Sequence, residues 1–84
     1  TKTITVRYFA SIREAMGTGE ETWATTAPTV AALRQELAGR SAETALALAE
    51  DQPVRLALNQ AMCPPDAPMA PGDEVAFFPP VTGG

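Results

Sequence analysis

Few side chains in this 84-residue chain could do chemistry, and the gaps are as informative as the content. There is no histidine. That removes Ser/His and Cys/His nucleophilic pairs, imidazole acid–base catalysis and any metal site built on imidazole. The one cysteine, Cys63, precedes Pro64-Pro65 and has no basic neighbour to lower its pKa. It reads as a small, partly buried apolar residue, not a nucleophile. Asp66 with Asp73 and Glu74 could bind a cation only loosely, and acidic turn residues are ordinarily solvated. Glu20-Glu21 reads the same way, as a solvated edge. No spaced glycines stand at a strand–helix junction to cradle a phosphate. What remains is Gly83-Gly84, on which the sequence ends. Glycine lacks the Cβ that would clash in a narrow channel, so such a tail can be threaded into another protein. Its reactive group is the α-carboxylate of Gly84, ionised at neutral pH with a pKa of about 3.5 and inert until activated. A partner must supply the chemistry.

The elements that position this end belong to one small domain of 8.8 kDa. Hydrophobic residues at 45% and charged ones at 19% fit a soluble globular fold and exclude disorder by composition. No apolar run approaches the roughly 18 residues that a membrane span needs, and no signal-peptide layout opens the sequence. Six basic against ten acidic residues give −4, which argues against a nucleic-acid surface. A lone cysteine cannot staple a fold, so a reducing, cytoplasmic setting is expected.

Along the chain, Ile4, Val6 and Tyr8 alternate with Thr5, Arg7 and Phe9, the period of a half-buried first strand. Ser11-Ile12-Arg13-Glu14 has the form of a capping box, and Gly17 stands where a short helix would stop in a left-handed residue. Residues 21–25 suit a second strand. Pro28-Thr29 opens the clearest helix, with Thr29 as N-cap, Val30, Leu33 and Leu37 on one face, and Gly39 at its end. Residues 41–49 form a second, Ala-rich helical piece that Asp51-Gln52-Pro53 breaks. Val54, Leu56 and Leu58 alternate as a strand ending in a tight turn at Asn59-Gln60. Residues 63–71 carry four prolines and read as a loop with at most a short edge strand. Pro71-Gly72 fits the centre of a type II turn. The last strand, 74–78, puts Val75 and Phe77 on one face and Ala76 and Phe78 on the other, and Pro79-Pro80 stops it. Strand, strand, helix, strand, short strand, strand gives a two-layer α+β domain: a β-grasp, ubiquitin-like mixed sheet of four to five strands on one main helix. The domain is expected over 1–80, with 81–84 as a flexible tail.

Parity leaves an apolar surplus. Phe9 and Phe78 point away from the face that Ile4, Val6, Tyr8, Val75 and Phe77 define, and Met62 has no clear core slot. If the first and last strands are neighbours, the two phenylalanines share one patch leading into the tail. That is the mark of a protein interface.

These residues resemble a known family. The ending Gly72-Asp73-Glu74-Val75-Ala76-Phe77-Phe78-Pro79-Pro80-Val81-Thr82-Gly83-Gly84 is similar to the small subunits of molybdopterin synthase. So are Val6-Arg7-Tyr8-Phe9-Ala10 with Arg13-Glu14, Pro28-Thr29-Val30 with Leu33-Arg34, and Leu58-Asn59-Gln60. The resemblance implies a ubiquitin-like sulfur carrier with no catalytic residue beyond its terminal carboxylate and no bound cofactor or metal. An activating enzyme would use ATP to adenylate Gly84, and a sulfur-donating protein would convert the adenylate to a thiocarboxylate. Val81, Thr82 and Gly83 would thread into the large catalytic subunit of a heterotetramer, delivering sulfur to cyclic pyranopterin monophosphate. The resemblance places Phe9, Met62, Phe78, Pro79 and Pro80 at that subunit's surface. A carrier for thiamine synthesis or tRNA thiolation would share the fold and Gly83-Gly84. A non-covalent ubiquitin-like module would need the fold and patch but no free carboxylate.

Overall fold

The computed structural model describes residues 1–49 and 51–79. Glu50, Pro80 and the expected flexible tail of residues 81–84 lie outside the described residues. The elements run β1 (Lys2–Tyr8), α1 (Ala10–Met16), β2 (Glu20–Thr25), α2 (Val30–Ala38), α3 (Ala42–Leu48), β3 (Arg55–Leu58), β4 (Ala61–Met62) and β5 (Glu74–Phe78). The five strands form one sheet in the order β2-β1-β5-β3-β4, with β1 and β5 parallel and the other pairs antiparallel. This is the mixed β-grasp sheet that the sequence pattern implies.

The alternation along β1 becomes burial directly. Ile4, Val6 and Tyr8 are buried, as are Leu56 of β3 and Val75 and Phe77 of β5. They meet Val30, Leu33 and Leu37 of α2, Ile12 of α1 and Leu48 of α3 in one core. Each aliphatic side chain withdrawn from water there contributes about 1.5–3 kcal/mol. The Thr29 hydroxyl accepts from the Ala32 amide and starts α2, while Ser41 and Thr44 close a capping box at α3. Arg34 of α2 donates to the carbonyls of Leu48 and Ala49, which the end of α3 leaves open, and to that of Gln52 in the turn that follows.

Three expectations change. The capping box at Ser11-Ile12-Arg13-Glu14 does not form. β1 stays paired to β5 through the Phe9 amide, which donates to the Phe77 carbonyl at 3.2 Å, and α1 starts at once at Ala10. Phe9 is therefore the N-cap, without a side-chain cap bond, and Ser11 is already inside the helix. The short edge strand falls at Ala61–Met62, before the proline-rich stretch, because Asn59 (φ 52°) and Gln60 (φ 69°) form a two-residue hairpin turn. Residues 63–71 then act as a lid on the core, burying Ala67 and Met69 and forming an isolated bridge from Pro68 to Thr29. Finally, Glu21 is not a solvated acid. Its carboxylate accepts from the Tyr8 hydroxyl at 2.7 Å and pairs with Arg40 at 2.7 Å. Glu20 keeps its exposed place, 3.5 Å from Arg7.

Candidate functional site

The helices cover one face of the sheet, and the other is open. Residues paired across strands share a face, so the register reads out what the open side carries. One row crosses it as Met62, Ala57, Ala76 and Arg7, and the next holds Arg55 beside Phe78. Phe9 follows Tyr8 at the end of β1 and completes that second row. Its ring meets Phe78 edge to face, with centroids 6.1 Å apart and planes at 89°. Phe9 and Met62 are exposed, and Phe78 is half-buried. Ala57 and Ala76, although outward-facing, are buried between larger neighbours. With strands about 4.8 Å apart, the neighbours close over the two alanines, and the apolar surface left open on this face is that of Met62 and the aromatic pair.

Beside the rings, Phe9, Ala10, Phe78 and Pro79 line an apolar depression at the end of the sheet. Ala10 holds φ 52°, a left-handed conformation that costs a residue with a Cβ about 1–2 kcal/mol. The sharp bend lets β1 remain paired as far as Phe9 and leaves that ring on the open side. Pro79 also lines a second depression, between α1 and α3, with Ile12, Leu46 and Val54 among its walls. The described chain thus leaves the sheet at a ridge between two apolar hollows.

Charge frames the rings. The Arg7 guanidinium lies 5.4 Å from the centre of the Phe9 ring, and Glu20 (3.5 Å) and Glu74 (4.0 Å) balance it. Elsewhere the acids serve structure. Asp73 accepts from the Ala70 amide at 2.8 Å and the Asn59 side chain at 3.1 Å. Those bonds hold its carboxyl below the usual range, the Ala70 amide most. Gly72 at φ 87° with the Asp73 amide on the Ala70 carbonyl makes the expected turn. Among the described residues no group of three His, Cys, Asp or Glu side chains could hold a metal ion, so Asp66, Asp73 and Glu74 do not converge. Cys63 packs against the core, and burial pushes its thiol pKa up, away from the thiolate.

The register thus brings Phe9, Met62 and Phe78 to the open side, and Pro79 borders both that side and the hollow between α1 and α3. Pro80, Val81, Thr82, Gly83 and Gly84 lie outside the described residues. The place of Ala57 and Ala76 between Met62 and the rings, and that of the cation Arg55, are not evident from sequence. Their outward parity is legible, but their adjacency needs the strand order.

Comparison with known proteins agrees with this geometry. Residues 6–84 match the ThiS family. The chain is 52% identical over 81 residues to the molybdopterin synthase sulfur carrier subunit of Escherichia coli, covering 96% of this chain and 99% of that protein. It is 40% identical, with the same coverage, to the subunit of that name from Haemophilus influenzae. Among solved structures, SAMP1 from Haloferax volcanii superposes with a TM-score of 0.75 at 25% identity, over 98% of this chain and 99% of that one. The fold is that of a ubiquitin-like β-grasp domain with an open aromatic face. The chain belongs to the ThiS family, in the group of molybdopterin synthase sulfur carrier subunits.

Proposed function

We propose that this chain carries sulfur for a molybdopterin synthase, with Gly84 as the group that is charged and discharged. The supporting observation is 52% identity over nearly the full length to a sulfur carrier subunit of that enzyme. An ATP-dependent activating enzyme adenylates the Gly84 carboxylate, releasing pyrophosphate and making AMP the leaving group. Sulfide-level sulfur supplied by a sulfur-donating protein displaces AMP and leaves a thiocarboxylate, a soft nucleophile that needs no base on this chain. Residues 81–84 then thread into the large catalytic subunit, which covers the face formed by Phe9, Met62, Phe78, Pro79 and Pro80. The sulfur passes to cyclic pyranopterin monophosphate, and two transfers complete its dithiolene. The carrier works in the cytoplasm; among the described residues no helix is long and apolar enough to cross a membrane.

The test is intact mass after incubation with ATP, the activating enzyme and a sulfur source, followed by the large subunit and the pterin. The expected result is a mass gain of one sulfur-for-oxygen exchange on Gly84 that disappears as the dithiolene forms. A chain that acquires no sulfur, or keeps it in the presence of large subunit and pterin, overturns the reading.

A further inference from the structure

The open face carries two arginines, and they are not equivalent. Arg7 is balanced by Glu20 and Glu74 and held over the Phe9 ring. Arg55 is exposed and has no ion pair or hydrogen bond among the described residues. It is not a random surface cation, because the register pairs it with Phe78 on the neighbouring strand. Its backbone therefore stands beside that of Phe78, on the open face and at the end of the sheet from which the chain leaves through Pro79. The placement runs against the composition, since the chain as a whole carries −4. The face's acids, Glu20 and Glu74, sit with Arg7 in β2 and β5 and are both engaged with it. When Met62 and the rings are covered, Arg55 loses water on one side. A cation so placed either meets an anion or opposes association.

We propose that Arg55 is a specificity-determining contact of this face, paired by an acidic side chain of the large subunit that receives the tail. The proposal rests on the sulfur-carrier reading and adds the chemistry of one partner group. Arginine suits the role, since its planar fork can bind a carboxylate through two parallel hydrogen bonds while its stem lies along an apolar neighbour. The pairing selects among partners: a subunit with an apolar or basic group at that point would leave the guanidinium unpaired.

The experiment measures binding of the full-length chain to the large subunit at about 50 mM and about 500 mM salt, a range over which exposed charges are progressively screened. Wild type, Arg55→Gln, Arg55→Glu and Arg55→Lys are compared, with urea unfolding midpoints as a control. Unchanged midpoints are expected, because the Arg55 side chain has no ion pair or hydrogen bond among the described residues. At low salt Arg55→Gln should weaken binding about fivefold and Arg55→Glu about tenfold or more, chiefly through slower association. Arg55→Lys should fall between wild type and Arg55→Gln, and the gap between wild type and Arg55→Gln should narrow at high salt. If wild type binds but Arg55→Gln matches its affinity and salt response, or binds more tightly, Arg55 is a solvated charge and the proposal is overturned. If Arg55→Glu binds better than wild type, the partner group is basic and the proposal is equally overturned. Failure of wild type itself to bind removes the sulfur-carrier reading and this contact with it.

Discussion

Two aromatic pairs lie one residue apart on the same two strands, on opposite faces of the sheet. Tyr8 and Phe77 face the helices, with centroids 6.3 Å apart and planes at 15°, and both rings are buried. Phe9 and Phe78 face outward at nearly the same separation, edge to face, with Phe9 40% exposed. The chemistry of the rings is almost the same; the face decides what they do. On the packed side the rings fill a core that no partner can reach. On the open side the same apolar area is left uncovered, next to the point where the chain leaves the sheet. A single-residue period thus separates stability from recognition within the strand Glu74–Phe78.

The strongest break between the two regions is expected at the end of the chain. Deleting Gly84 should abolish sulfur transfer, and adding a residue beyond it should do the same by turning the carboxylate into an amide. Reacting groups must come within about 3–3.5 Å, so displacing the carboxyl by one residue is ruinous. Unfolding midpoints should not move, because all the core residues lie upstream. Assaying dithiolene formation beside urea unfolding checks both halves; transfer by the Gly84 deletion sinks the assignment.

A smaller but sharper effect separates the two phenylalanines. Phe77→Ala should cost about 3–5 kcal/mol of folding stability, as for any fully buried ring. Phe78→Ala should cost well under that, yet weaken the complex with the large subunit by about 2 kcal/mol or more as a central aromatic anchor. Calorimetric binding and urea unfolding on both variants give four numbers that must cross over. If Phe78→Ala unfolds the protein as readily as Phe77→Ala, the open face is structural.

That crossover was legible in the sequence because a strand's period is two, and parity alone puts Phe77 and Phe78 on opposite sides. The helix from Val30 was legible for a similar reason, since a hydroxyl cap and a Val30–Leu33–Leu37 stripe act locally. The start of α1 was not. Ser11 and Glu14 favour a cap, but continued pairing of Phe9 with β5 forces the helix to start two residues earlier, at a strained Ala10. The role of Glu21 is hidden in the sequence for the same kind of reason. Its partners are Tyr8, thirteen positions away, and Arg40, nineteen away, and no local pattern announces either. Local physics is written along the chain, while the edges of the site depend on which strands become neighbours.

The packed side should also respond to pH, through Tyr8. Burial, then the hydrogen bond to Glu21 and that residue's charge, push the Tyr8 phenol well above its ordinary pKa. The folded state therefore holds the Tyr8 proton more tightly than the unfolded chain. Its contribution to stability is complete below the unfolded value of about 10 and falls as pH climbs above it. Urea midpoints measured on both sides of that value should drop steeply for wild type and less steeply for Tyr8→Phe. Equal slopes would mean that the Tyr8–Glu21 bond does not persist in solution.

The least effect is expected at Cys63, and it tests where the sulfur travels. A thiol is the obvious rival to a terminal carboxylate as a sulfur carrier, and Cys63 is the chain's one candidate. It directly follows Met62 of the open face, but its own side chain packs against the core, and burial raises its pKa. A protonated, partly covered thiol attacks persulfides and alkylating agents slowly, because the thiolate is the reactive form. Native protein should thus react with iodoacetamide at neutral pH far more slowly than urea-unfolded protein does. Cys63→Ala should transfer sulfur at the wild-type rate and lose about 1 kcal/mol of stability, the typical scale for a partly buried truncation. Loss of transfer by a folded Cys63→Ala would move the sulfur from the tail to the thiol. The two faces of the sheet would then no longer divide recognition and chemistry from packing, because the chemistry would sit on the packed side.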